Sequence, residues 1–448
     1  MGIRRSERTR VGGGIRHRSA LVLAVLTIGG GTLAACSSTS SSTSTTGASS
    51  SASRAAYRAP IPTSAFSDTT GLTATEVRIG NVSTQSLGLF TGAVVGTEAY
   101  ADYVNSTGGV NGRRLVVDPL DDQFTGASNK QQTQNAISND FALVGSFSLE
   151  DSFGETVLAQ NPQVPDVSTT LAPSLSTLPN VFSANPTGLG WPTGPLDYFK
   201  RLYPTQALHT AALTSTLPSA LAIWNVEKPV MTQAGYKLAY YAQVPVTQTD
   251  FSQNVVAMRQ AGVQLIYSDQ LPENYAGALF RALSQQNFHP VVVIGTASYS
   301  EQLVPAAGGS AAVDGSNMEM PNALFLGEDA SQIPAVGTFQ KWVQKASPGF
   351  KADYYTLAGW ANAQLFVQAL KAAGNSPTRG SVQDQLRKIT SFDAANLFAP
   401  TDPAQRKPAT CYLIAKVVNG TFVRSNDPPV SGPTSGYRCD GRYVTASG

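Results

Sequence analysis

The sequence predicts an α/β protein of two doubly wound parallel-sheet lobes. The chain has 448 residues, too many for one small core, so two domains of ordinary size are expected. Short β-rich runs alternate with helical stretches in two successive blocks, and that alternation implies parallel strands wound by right-handed crossovers. Small residues punctuate the joints: Gly108 and Gly109 break a helix end, and Asn111-Gly112 marks a tight turn into the next strand.

In the first block, strands are expected at residues 77–82, 114–119, 141–147 and 164–168. The second repeats the plan at 209–213, 236–243, 263–268 and 291–295, with an amphipathic helix at 276–288 before its last strand. The order then changes. Residues 318–329 read as a strand recrossing toward the first lobe, followed by helices at 337–346 and 382–389. Between those helices, Leu357, Trp360, Ala361, Leu365 and Leu370 recur at helical spacing up to the stop at Gly374. Residues 411–424 form a hairpin around Asn419-Gly420.

Charged residues make up 13% of the chain and the net charge is +2. The basic residues cluster only at the N-terminus, which argues against a nucleic-acid groove, since phosphate neutralisation needs grouped Lys and Arg. Arg4, Arg5, Arg8, Arg10, Arg16 and Arg18 precede an apolar run at 20–28 and then Leu33-Ala34-Ala35-Cys36. This pattern resembles a lipoprotein signal, which implies cleavage before Cys36 and a lipid on its thiol. A secretory signal with an incidental cysteine, or a short membrane anchor, is the alternative, although the apolar run is short for a span of ~20 residues. Residues 1–35 are thus read as the signal. Residues 36–74 are read as a Ser/Thr-rich tether with a typical reach of about 30 to 35 Å, too polar to offset its ordering entropy. Apart from Cys36, only Cys411 and Cys439 remain; in an exported chain this even pair is expected to be bonded.

The segments at 77–92 and 108–122 together make one βαβ unit. Its pattern resembles the N-terminal signature of the branched-chain amino-acid type of solute-binding protein, the two-lobed periplasmic-binding-protein-like fold that feeds ABC importers. The resemblance runs over roughly residues 75–423, as pattern rather than long identical strings. It implies three hinge crossings, and so a discontinuous division: lobe 1 from 75–190 and 318–395, lobe 2 from 191–317 and 396–448. It further implies a small-molecule ligand, permease partners and an extracytoplasmic, lipid-anchored location.

Ligands of open parallel sheets bind beyond the carboxyl ends of the strands. Those loops are rich in hydroxyls: Ser83 and Gln85 after the first strand, Ser146 and Ser148 after the third, and Ser168, Thr169 and Thr170 after the fourth. By resemblance the last two loops match positions that hold a ligand carboxylate, for which several donors and a helix N-terminus are suited; helix capping is the competing use of such residues. In the second lobe the family places an acid after the fourth strand, to pair with a ligand ammonium. The matching loop here is Thr296-Ala297-Ser298-Tyr299, with no carboxylate before Glu301. Gln270, Ser298, Tyr299 and Tyr355 are therefore the second-lobe and hinge candidates, with Glu273 and Glu301 as displaced acids. An amide, an organic acid or an aromatic compound is expected rather than a branched-chain amino acid, since a buried unpaired ammonium costs several kcal/mol. Asp121 and Asp122 read as solvated strand-end caps.

No catalytic residue, cofactor or metal site is expected. The chain has no Gly-x-Ser-x-Gly elbow, phosphate loop, His-Glu-x-x-His or calcium loop. The run from Gly188 to Gly194 only imitates a dinucleotide fingerprint. Beyond His17 in the leader, the histidines are His209 and His289, both beside strand starts. A ligand-sensing receptor of the same fold is the alternative reading, with a hydrolase behind it.

Overall fold

The computed structural model describes residue 62 and residues 66–245, 247–425 and 436–445. The signal at 1–35, Cys36 and most of the polar segment lie outside the described residues. The first block supplies β1 (Glu76–Ser83), β2 (Arg114–Asp121), β3 (Ala142–Val144), β4 (Asp166–Val167) and β5 (Val181–Phe182). They form an all-parallel sheet in the order β2-β1-β3-β4-β5. Val77 and Ile79 of β1 and all of β3 are buried, as expected where helices cover both faces of a parallel sheet.

A short strand β6 (Gly190–Pro192) follows. The second block gives β7 (Thr210–Ser215), β8 (Leu238–Val244), β9 (Leu265–Ser268), β10 (Val291–Gly295) and β11 (Asn317–Met320), then β12 (Leu413–Val418) and β13 (Thr421–Arg424). The second sheet runs β13-β12-β11-β10-β9-β7-β8. Its last two strands are antiparallel and turn at Asn419 (φ 52°) and Gly420 (φ 75°), the left-handed pair that a tight hairpin requires.

The strand expected to recross toward the first lobe is β11, and it does not recross. It pairs with β10 and β12, so the second sheet extends through Met320 and the chain returns after it. No strand among the described residues makes that recrossing: past Met320 the chain goes on to the helix Pro334–Ala346, and an apolar run does not by itself reveal which sheet it joins.

Back on the first sheet, the helix Tyr354–Ala372 is buried nearly all round and crosses the helix Thr91–Asn105 at backbone contact. A Cβ on Gly96 would lie 1.9 Å from the Thr356 carbonyl oxygen, and one on Gly359 would lie 2.2 Å from that of Ala93. Only glycine allows this approach. Tyr100 packs edge-on against Trp360 at 4.9 Å beside the crossing.

The tether was expected to reach residue 74, but the chain is docked from Asp68 onward. Arg379, fully buried, pairs with Asp68 and donates to the carbonyls of Phe141, Ile137 and Asp140. A buried guanidinium must satisfy its several donors, and the lead-in chain supplies the countercharge. At the other end, Cys411 is joined to Cys439. The strand β14 (Tyr443–Thr445) pairs with β6, and Thr193 N donates to Arg442 O at 2.7 Å. The C-terminal segment is thereby held beside the crossing between the two sheets.

Candidate functional site

A cavity of about 300 Å³ lies where the carboxyl ends of the two sheets face each other. Loops after β3, β4 and β5 line it from one side, and loops after β7, β9 and β10 from the other. Its walls are largely apolar. Phe90, Phe147 and Tyr355 form an aromatic corner with ring centroids 4.4 to 4.8 Å apart, while Trp191, Leu217, Ile223 and Tyr412 contribute elsewhere. Among the described residues that line it there is no Lys, Arg or His.

Four of the sequence candidates reach this cavity: Thr169, Thr170, Gln270 and Tyr355. The other seven do not line it. In the first lobe the reason is that the hydroxyls are used to tie strand ends together. Ser83 Oγ donates to Asn81 Oδ1 at 2.5 Å and accepts from Phe147 N. Ser146 Oγ accepts from Val82 N, and Ser168 Oγ from Ser146 N. Ser148 Oγ donates to Asp122 and accepts from Asn129 Nδ2 and Glu150 N. Gln85 offers its backbone N–H to Asp121 at 3.1 Å. Asp122 is not solvated but fully buried, and receives Thr84, Asn129 and the Phe124 N–H as well.

Ser146, Ser148 and Ser168, with one side of Thr169 and Thr170, face instead a small space of about 30 Å³ behind the main cavity. That is room for about one water. Asp151 and Asp166 border it, and burial pushes each carboxyl up to about 7. Asn362, on the buried helix, donates to Thr169 Oγ1 at 3.0 Å and accepts from Ala184 N at 2.8 Å. It thereby stitches the β4 and β5 loops, a role that a mid-helix asparagine does not advertise.

In the second lobe, Ser298 Oγ donates to Leu271 O at 2.6 Å and is fully buried. Tyr299 is core rather than cleft: its ring packs against Phe325 and Phe422 at 4.7 Å, and its hydroxyl donates to Glu328 at 2.6 Å. Glu301 pairs with Lys351 at 2.8 Å on the surface. Glu273 sits in the first turn of the helix Glu273–Gln285, outside the cavity lining.

The acid that the β10 loop lacks comes from other elements. Asp269, just after β9, and Glu319, on β11, both line the cavity. Glu227, 1% exposed on the helix Pro218–Gln233, lies behind them and accepts from Gln270 Nε2 at 2.5 Å. Asp269 lies within hydrogen-bonding reach of both glutamates. Burial, and then the charge of Asp269, holds Glu227 and Glu319 well above the usual carboxylate range, while burial lifts Asp269 to about 6. Of the three, Asp269 is thus the readiest to ionise. The expectation that only a displaced Glu273 or Glu301 could supply the missing acid is corrected: Asp269 and Glu319 line the cavity and those two do not. Asp269 was accessible to the strand-end rule. Glu319 carried a signal too, as a charge inside an apolar strand, whereas nothing in the sequence pointed to Glu227.

Two wound sheets with a cavity at their facing carboxyl ends define a two-lobed ligand-binding protein rather than a single-lobed nucleotide binder. The chain belongs to the periplasmic binding protein family, whose model matches residues 76–421. No curated protein matches it by sequence. Among solved structures it is similar to a fatty acid ABC transporter substrate-binding protein from Thermomonospora curvata, with a TM-score of 0.64 and 18% identity, covering 80% of this chain and 93% of that one. It is also similar to a branched-chain amino acid ABC transporter protein from Thermus thermophilus with bound valine, with a TM-score of 0.68, 14% identity and coverage of 79% and 96%. A solute-binding protein from R. palustris in complex with 4-hydroxybenzoate gives a TM-score of 0.63, 16% identity and coverage of 78% and 95%. At these identities the likeness is one of fold.

Proposed function

We propose that this protein is an extracytoplasmic solute-binding lipoprotein that captures a small molecule between two closing lobes and presents it to an ABC importer. The observation that carries the reading is the apolar cavity of about 300 Å³ bounded by both sheets, a size and lining suited to one small organic ligand. Contacts from both sides exist together only when the lobes are closed, so ligand binding favours the closed form that a transporter would engage. Thr169, Thr170, Gln270 and Tyr355 are the ligand contacts retained from the sequence reading. Asp269, Glu319, Phe90, Phe147 and Trp191 join them. The lobes hinge at the passages after β5, after β11 and before β12. Cys36 is the lipid attachment site, and permease subunits are the partners.

A thermal-shift screen over amino acids, amides, amines and aromatic acids tests the binding reading, because a ligand that binds only the folded state must raise the midpoint. A broad panel that shifts nothing counts against it. Cys36→Ala tests the anchor: membrane fractionation and processing identical to wild type would rule it out.

A further inference from the structure

We propose that the ligand is an apolar organic cation, an amine bearing a hydrophobic body and no carboxylate, seated with its ammonium on Asp269 and Glu319 and its body among Phe90, Phe147 and Tyr355. The proposal rests on the solute-binding reading above and names the chemistry of that same site.

Three observations converge on it. First, the two cavity-lining carboxyls have no Lys, Arg or His beside them among the described lining residues. Asp269 lies within hydrogen-bonding reach of both Glu319 and buried Glu227. Carboxyls gathered without a cation repel further negative charge and favour a positive one. Second, Ser219 also lines the cavity, is 6% exposed, and its Oγ has no hydrogen-bond partner among the described residues. A buried hydroxyl left unsatisfied loses free energy until something supplies its bond, and a ligand N–H does so. Third, the first-lobe serines placed to hold a carboxylate are committed elsewhere: Ser146, Ser148 and Ser168 bind strand ends and Asp122. The cavity thus has a receptor for a cationic end and an apolar bed, without a charged group to receive an anion. No group of three or more His, Cys, Asp or Glu among the described residues is arranged to hold a metal ion, so the cation it suits is organic.

The test is calorimetry on the full chain, unfolded and refolded to strip carried-over solute, with two matched series. Phenethylamine, phenylalanine and hydrocinnamate share one body; isoamylamine, leucine and isocaproate share another. Within a series only the charged groups change. The amine is expected to bind at least about tenfold tighter than its amino acid and its acid, a difference of about 1.4 kcal/mol. Glu319→Gln and Asp269→Asn should each lower amine affinity by about tenfold or more while keeping the far-ultraviolet spectrum and a cooperative melt. Ser219→Ala should lower it a few fold and leave the melt unchanged. Tighter binding of the acid or the amino acid overturns the proposal while upholding solute binding, as does amine binding indifferent to both acid substitutions. If none of the six binds, the proposal also falls. The broader reading then stands or falls separately on whether a neutral solute from the wide panel shifts the melt.

Discussion

The two walls of the cavity are built from similar strand-end loops and end in opposite chemistry. On the first sheet, hydroxyls and Asp122 bond one another, with Ser148 serving Asp122, Asn129 and Glu150, and the atoms left unpaired there, Asn129 Oδ1 and Asp166 Oδ1, border the small space behind the cavity rather than the cavity itself. On the second sheet, Asp269 lies within hydrogen-bonding reach of Glu319 and Glu227, and Ser219 Oγ, which lines the cavity, is left unpaired. A polar group whose bonds are complete stiffens the fold, whereas one whose bonds are incomplete is available to a ligand. Polarity therefore marks a binding wall only when it is unspent.

Several measurements sharpen or break that contrast. The largest effect should come from pH, because both walls hold carboxyls raised by burial. Asp151 and Asp166 keep their protons up to about 7 in the folded state, and Asp269 to about 6, whereas unfolded carboxyls titrate near 4. Between those values the folded state binds more protons. The stability contributed is thus fully present below about 4 and is lost as pH rises through 6 to 7, by roughly several kcal/mol in sum. The melting temperature of the ligand-free protein should fall from about pH 5 to pH 8. Asp166→Asn and Glu319→Gln should each flatten the profile, and only the second should alter ligand affinity. A profile that rises over that range would contradict the burial assignment.

Next in size is the bond that holds the C-terminal segment beside the second wall. Cys411 and Cys439 are 28 residues apart, and Cys411→Ser should cost about 3 to 4 kcal/mol on the chain-entropy estimate. Chemical denaturation measures the loss. Mass spectrometry of exported protein without reductant that finds two free thiols would remove its basis.

A smaller effect separates the walls directly. Ser148→Ala should cost about 1 to 3 kcal/mol of stability, since it strands Asp122 and Asn129 in a buried network, while ligand affinity changes less than about twofold. Ser219→Ala should do the reverse, sparing stability and lowering affinity. If Ser148→Ala abolished binding without loss of stability, the first wall would be the gripping one and the contrast would be wrong. The smallest effect is expected for Thr169→Val. It deletes one hydrogen bond from Asn362 and should cost about 1 kcal/mol, with a modest affinity loss because Thr169 also faces the cavity.

Periodicity and turn residues determined the architecture. The strands at 77–82, 114–119, 209–213 and 291–295 appear as β1, β2, β7 and β10, and the Asn419-Gly420 hairpin forms as its left-handed turn requires. Those features are legible because they depend on neighbours a few residues apart. The same locality explains why the strand-end rule located the loops of the site and Gln270 within one of them, while Asp269 beside it went unnamed. Which side chains remained free was decided by tertiary structure alone. Ser148 is spent on Asp122, 26 residues away; Tyr299 turns into Phe325 and Phe422; and Glu227, Asp269 and Glu319 meet from a helix, a loop and a strand that are far apart in the chain. Hydrogen-bond satisfaction and charge burial are properties of what surrounds a group in space, and a sequence lists only what surrounds it along the chain.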